Sequence, residues 1–200
     1  TGNDLLDGGG GLDTASYAGA SGAVIINLAT NTVTGAAGSD TLVSIERIIG
    51  SGYADSITGS RGAEWIDGGS GSVSTADTIS GGSGTDTISF DSSGGPVTVV
   101  LNSSSSDGRI LSGFENIYGS VYGDTLTGDA GNNVIEGGLG NDTLDGGSGT
   151  DTASYAYAVS GVTVSLLTGS SSGGEGNDTL ISIENLTGSA YADTLIGDAA

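Results

Sequence analysis

The chain has 200 residues, 40 of them Gly, with one Pro, no Cys, Met or His, and a formal net charge of -21. Without His or Cys there is no Ser–His–Asp triad, no Cys nucleophile and no zinc site of the usual ligands. A charge of that sign disfavours nucleic acid and anionic membrane surfaces as partners, and no apolar run approaches the roughly eighteen residues of a membrane-spanning helix.

The first residues, TGNDLLDGGG, carry no basic region followed by an apolar core, so no export signal is visible. Gly8–Ser16 (GGGGLDTAS) is the first example of a nine-residue frame with Gly in the first two and the fourth places, Asp in the sixth and an aliphatic residue in the eighth. A β-rich run follows at Val24–Leu28, then Gly35, Gly38 and Asp40, then the segment Ile45-Glu46-Arg47-Ile48. Tyr53 stands in the fourth place ahead of Asp55. Gly59–Asp67 has Glu64 in the acidic place, and Gly68 to Asp77 carries a four-residue insertion. Gly81–Ser89 restores the frame with Asp86.

A second long copy begins at Asp86-Thr87-Ile88-Ser89-Phe90 and runs through Val97–Leu101, Phe114-Glu115-Asn116-Ile117, Tyr122 and Asp124. Gly128–Glu136 has Asn133 in the acidic place, and Gly137–Asp145 and Gly146–Ser154 are two complete frames in direct succession. A third copy starts at Asp151, aligns without a gap on the copy starting at Asp13, and includes Val162–Leu167, Gly173–Ile181, Ile183-Glu184-Asn185-Leu186 and Asp193 behind Tyr191. The repeats divide the chain into modules of approximately 1–85, 86–150 and 151–200 within one continuous array, expected to be a fragment of a longer protein.

One aliphatic side chain between small polar ones describes a three-residue strand with one face in and one out. The Gly-rich hexamer before it must be a turn, and nothing sustains a helical period. The frame GGxGxDxUx, with U a large aliphatic residue, resembles the calcium-binding RTX (hemolysin-type) repeats of secreted bacterial proteins. That resemblance implies an all-β fold: a right-handed parallel β-roll, or β-helix solenoid, with two nonapeptides per coil and several Ca2+ ions in the turns. It also implies export by type I secretion.

Charge alone points the same way. About three-quarters of the acidic residues are Asp. Equivalent Asp residues on successive coils would stack about 4.8 Å apart, and like charges at that spacing repel by nearly ~1 kcal/mol even in water. Calcium takes six to eight hard oxygens at flexible geometry, which short Asp side chains and turn carbonyls supply. The expected metal positions are Gly8, Asp13, Gly35, Asp40, Asp55, Asp77, Gly81, Asp86, Asp124, Asn133, Gly137, Gly140, Asp142, Gly146, Gly149, Asp151, Gly173, Asp178 and Asp193. Asp13, Asp86, Asp142, Asp151 and Asp178 keep the best frames, while the Tyr turns before Asp55, Asp124 and Asp193 should bind more weakly. The Gly119 and Gly137 turns should share one ladder, the Gly128 and Gly146 turns another. Trp65 is expected on an outward strand place; Tyr17, Phe90 and Tyr155 are expected to pack in the core.

The functional expectation is a non-enzymatic structural repeat region of a secreted, extracellular or cell-surface protein of adhesin, surface-layer or matrix type. It folds on calcium after export. The alternative is the calcium-folding, secretion-assisting tail of an exported protease, lipase or epimerase. Calcium is the expected partner, with self-association by end-to-end stacking beside it; nucleic-acid binding and membrane insertion are not expected.

Overall fold

The computed structural model describes residues 2–70 and 76–198. Thr1, Ala199, Ala200 and most of the insertion in Gly68–Asp77 lie outside the described residues. The described residues form short strands joined by turns, with no helix.

The chain divides into two compact units, one made of Thr1–Gly94 and Asn102–Phe114, the other of Gly95–Leu101 and Glu115–Ala200. The first contains a sheet ordered Leu5–Asp7, Asp40–Val43, Thr32–Gly35, Val24–Asn27, Ser56–Thr58, Thr78–Ser80 and Ile110–Ser112. Thr14–Ser16, Arg47–Ile49, Trp65–Asp67 and Thr87–Ser89 form a second parallel row. The second unit repeats the plan. One sheet runs Thr98–Val100, Thr125–Thr127, Thr143–Asp145, Thr179–Ile181, Ser170–Gly173, Val162–Ser165, Thr194–Ile196. Its other row is Asn116–Tyr118, Val134–Glu136, Thr152–Ser154 and Asn185–Thr187.

Most short strands bury their central residue, Leu195 of Thr194–Ile196 being exposed, and stacking places those residues in register. Ile26, Ile57, Ile79 and Leu111 form one buried column and Ile48, Ile66 and Ile88 another. Leu126, Leu144 and Leu180 form a third. Burying a Leu or Ile is favourable by about 1.5–3 kcal/mol, so one inward residue per strand builds a core only because every coil covers its neighbour. Tyr17, Phe90 and Tyr155 are buried, as their positions suggested. Trp65 is only half-exposed: the Arg47 guanidinium carbon lies 4.8 Å from its ring centre, over the face.

Two strands run against the parallel plan. Thr32–Gly35 lies antiparallel between Val24–Asn27 and Asp40–Val43, and Ser170–Gly173 lies likewise between Val162–Ser165 and Thr179–Ile181. The β-rich runs Val24–Leu28 and Val162–Leu167 therefore open hairpins, whereas Thr98–Val100, within the run Val97–Leu101, pairs in parallel with Thr125–Thr127. Asn31, at φ 58°, and Gly169, at φ 61°, turn the chain in the left-handed region where Asn and Gly are the cheapest residues.

Candidate metal centres

The sixth-place residues stack as expected, and most of their Asp carboxylates are tied to the backbone of the coil before them. Asp142 Oδ1 accepts the Asp124 N–H at 2.7 Å, and Asp178 Oδ1 accepts the Asp142 N–H at 3.0 Å. Asp151 Oδ1 accepts the Asn133 N–H at 2.8 Å. In the first unit Asp40 accepts from Asp4, Asp55 from Val24, Asp77 from Asp55 and Asp86 from Glu64. Asp124 and Asp193 accept from Val97 and Val162. The Gly119 and Gly137 turns do share one ladder, and the Gly128 and Gly146 turns the other.

What differs between turns is the second carboxylate oxygen. In the Asp13, Asp142 and Asp151 turns Oδ2 is buried and has no hydrogen-bond partner. These turns have the full Gly frame; in the Asp142 and Asp151 turns a Cβ in the second or fourth place would strike a carbonyl of the neighbouring coil, whereas at Gly9 and Gly11 it is the positive φ that favours Gly. Gly140 sits at φ 136°, where a Cβ would lie 2.6 Å from the Tyr122 carbonyl oxygen of the neighbouring coil. Backbone carbonyls and carboxylates are thereby drawn close together around the turn. Burial pushes the Asp142 carboxyl up to about 7, opposed by the Asp124 N–H and reinforced by the Asp178 and Asp124 charges. Burial also raises Asp151, against the Asn133 N–H and with the charge of Glu184.

Other turns are closed from within. Ser51, Ser120 and Ser189 each donate their N–H to Oδ2 and their hydroxyl to Oδ1 of Asp55, Asp124 and Asp193, at 2.5 to 3.0 Å. Ser60 treats Glu64 in the same way. The same hydroxyls accept the N–H of Tyr53, Tyr122 and Tyr191 at 3.0 to 3.1 Å. The Tyr in the fourth place thus marks a Ser-closed turn. The Val162 N–H and the Ser189 hydroxyl hold the Asp193 carboxyl below its ordinary range. Asp178, whose sequence frame is intact, has Oδ2 bonded by the Ser171 hydroxyl at 2.6 Å and the Tyr155 hydroxyl at 3.0 Å. Asn133 accepts the Asp129 N–H and donates Nδ2 to the Glu115 carbonyl at 2.9 Å.

Three further residues belong to these centres although the nonapeptide frame does not mark them. Glu46 Oε2 accepts the Asp13 N–H at 3.1 Å, and Glu184 Oε2 accepts the Asp151 N–H at 2.8 Å. The recurring Glu of the Ile-Glu segments therefore continues the ladder beyond the complete frames. Glu175, in the third place of its frame, is buried with Oε2 lacking a partner. Burial pushes its carboxyl up to about 8, reinforced by Glu136, Asp178 and Asp142. Its signal in sequence is an acid in a place otherwise held by Gly10, Ser83, Leu139 and Ser148 among the complete frames.

Among the described residues no three acidic side chains converge as one metal cluster, so an ion in these turns would draw much of its oxygen shell from backbone carbonyls. The chain matches the RTX calcium-binding nonapeptide repeat, in 4 copies, over residues 1–16, 44–72, 74–92, 118–153, 172–182 and 182–200. The chain belongs to the RTX calcium-binding repeat family. No curated protein matches it. RTX nonapeptides bind calcium, and the residues present fit that ion: a buried hard oxygen without a partner, beside Gly turns that admit close carbonyls. In this RTX chain the fit is best at Asp13, Asp142 and Asp151. The Asp86 turn shares their frame, with Gly82 at φ 105° and Gly84 at φ 142°. Among the described residues no helix is long and apolar enough to cross a membrane.

Proposed function

We propose that this chain is a calcium-folded structural array of an exported bacterial protein of adhesin, surface-layer or matrix type. The observation that carries the reading is the pair of consecutive turns at Asp142 and Asp151. Each buries a carboxylate, ties one oxygen to the backbone of the coil before it and leaves the other without a donor. A buried anion in that state opposes folding by several kcal/mol unless a countercharge arrives. Bound calcium would supply that countercharge and coordinate both the carboxylate and the turn carbonyls.

The chain's own residues do the rest. Asp Oδ1 fixes the turn to its neighbour, Gly in the second and fourth places lets adjacent turns approach, and the eighth-place aliphatic residue covers the coil beside it. Folding and metal binding are then one event, because the turn exists only in the stacked state. Low calcium keeps the chain extended for export, and high external calcium folds it. The hairpin modules at Val24–Asp55 and Val162–Asp193, equal in length and strand register, support an array whose purpose is length and rigidity.

Circular dichroism during calcium titration from excess chelator tests the reading. The expected outcome is a largely disordered chain that gains its β signal cooperatively as calcium is added. A full β signal in chelator would overturn it.

A further inference from the structure

The ladder that begins at Asp55 does not continue with an acid. Strand Ile110–Ser112 pairs in register with Thr78–Ser80, Ile110 opposite Thr78, so the residue aligned with Asp77 on the next coil is Arg109. Arg109 is buried, whereas Arg47 and Arg61, the other two basic residues, are exposed. Its Nε donates to Asp77 Oδ2 at 2.8 Å, one terminal nitrogen donates to the Gly69 carbonyl and the other to Asp107. The Phe90 ring lies against it, 5.4 Å from ring centre to guanidinium carbon.

Asp77 otherwise resembles Asp142. Each is buried, and each Oδ1 accepts the N–H of the sixth-place residue on the neighbouring coil. At Asp142 the second oxygen has no donor; at Asp77 it has the guanidinium. The groups that Arg109 gathers are two carboxylates and a turn carbonyl, the oxygen types that calcium takes. A fixed guanidinium offers several donors in one plane and keeps its charge at any working pH, so it can neutralise the turn without dissociating.

We propose that Arg109 is a built-in substitute for calcium: its guanidinium occupies the cation place of the Asp77 turn, and its removal opens a calcium site there. The proposal rests on the reading of the Asp142-type turns as calcium sites. It makes one part of the array independent of the ion, a fixed point in a fold whose open turns at Asp13, Asp142 and Asp151 wait for calcium.

The test compares the parent chain with Arg109→Ala, Arg109→Asp and Arg109→Lys, counting bound calcium by native mass spectrometry and following the β signal in chelator and in calcium. Arg109→Ala should bind one calcium more than the parent. It should lose β signal in chelator relative to the parent and recover it in calcium. Arg109→Asp, which restores an acid to the ladder, should show the same gain with a steeper calcium dependence. Arg109→Lys should keep the parent's count. Equal counts in the parent and both neutral and acidic variants would overturn the proposal, as would failure of Arg109→Ala and Arg109→Asp to fold in saturating calcium. A parent that binds no calcium at all would instead overturn the reading of the Asp142-type turns.

Discussion

Asp124 and Asp142 stand one above the other in the same ladder, and their carboxylates meet opposite circumstances. Asp124 is closed by the N–H and hydroxyl of Ser120, while Asp142 Oδ2 has no donor. Asp→Asn at the two positions removes the same charge and keeps the same shape, and Asn133 shows that an amide can occupy this place in the ladder. Asp142→Asn should lower the calcium count and the cooperativity of folding in a calorimetric titration. Asp124→Asn should leave the count unchanged and cost about 1–3 kcal/mol through its lost charged hydrogen bonds. Equal loss of calcium in the two variants would mean that bulk charge, rather than the open oxygen, attracts the ion.

At the scale of the element, the Gly turns are shaped by the coil next door as much as by their own φ. Gly176 has φ 134°, and a Cβ there would sit 1.4 Å from the Gly140 carbonyl oxygen. Gly52 also stands in a turn, but a Cβ there would meet nothing within 4 Å, and its φ is not in the left-handed range. Gly176→Ala should therefore lose about 1–3 kcal/mol of stability to backbone strain and more to the clash, lowering the urea midpoint in calcium. Gly52→Ala should be close to neutral. A small effect at Gly176 would mean that the Gly140 and Gly176 turns do not approach as described. The hairpin strands Thr32–Gly35 and Ser170–Gly173 follow a different rule, since their ends are set by the left-handed turn residues Asn31 and Gly169.

For the molecule as a whole, the net charge of -21 makes proton binding an alternative to calcium binding. The folded chain holds the Asp142 proton up to about 7 and the Glu175 proton up to about 8, from ordinary values of 3.8 and 4.5, chiefly through burial. These groups bind protons more tightly folded than unfolded, so they oppose folding increasingly as pH rises from about 4 through 8. In chelator, the fold should be favoured at pH 5 over pH 8, read as β signal or urea midpoint. Calcium should flatten that dependence by supplying the countercharge that protons otherwise provide. A calcium-free fold that gained stability between pH 5 and pH 8 would contradict this account.

The repeat frame alone was enough to determine the short strands, their inward residues, the Gly turns and the two ladders between Gly119 and Ser154, because each depends on residues within one nonapeptide or on a strict two-repeat spacing. The candidate ligands Asp13, Asp142 and Asp151 were legible for the same reason. The tertiary structure decided which carboxylates are already satisfied. Ser51, Ser120 and Ser189 close their Asp from within one turn, but the donors at Asp77 and Asp178 come from other parts of the chain, and the spacing between stacked residues changes whenever a hairpin or insertion lengthens a coil: Asp124 and Asp142 are 18 residues apart, Asp55 and Asp77 are 22, and Asp142 and Asp178 are 36. Arg109 meets Asp77 across 32 residues, and Tyr155 meets Asp178 across 23. The Tyr155 hydroxyl and the Arg109 guanidinium close their carboxylates only because stacking brings them within hydrogen-bond reach, and the Gly and Asp places of the Asp178 frame match those of Asp142 although only Asp142 is left open.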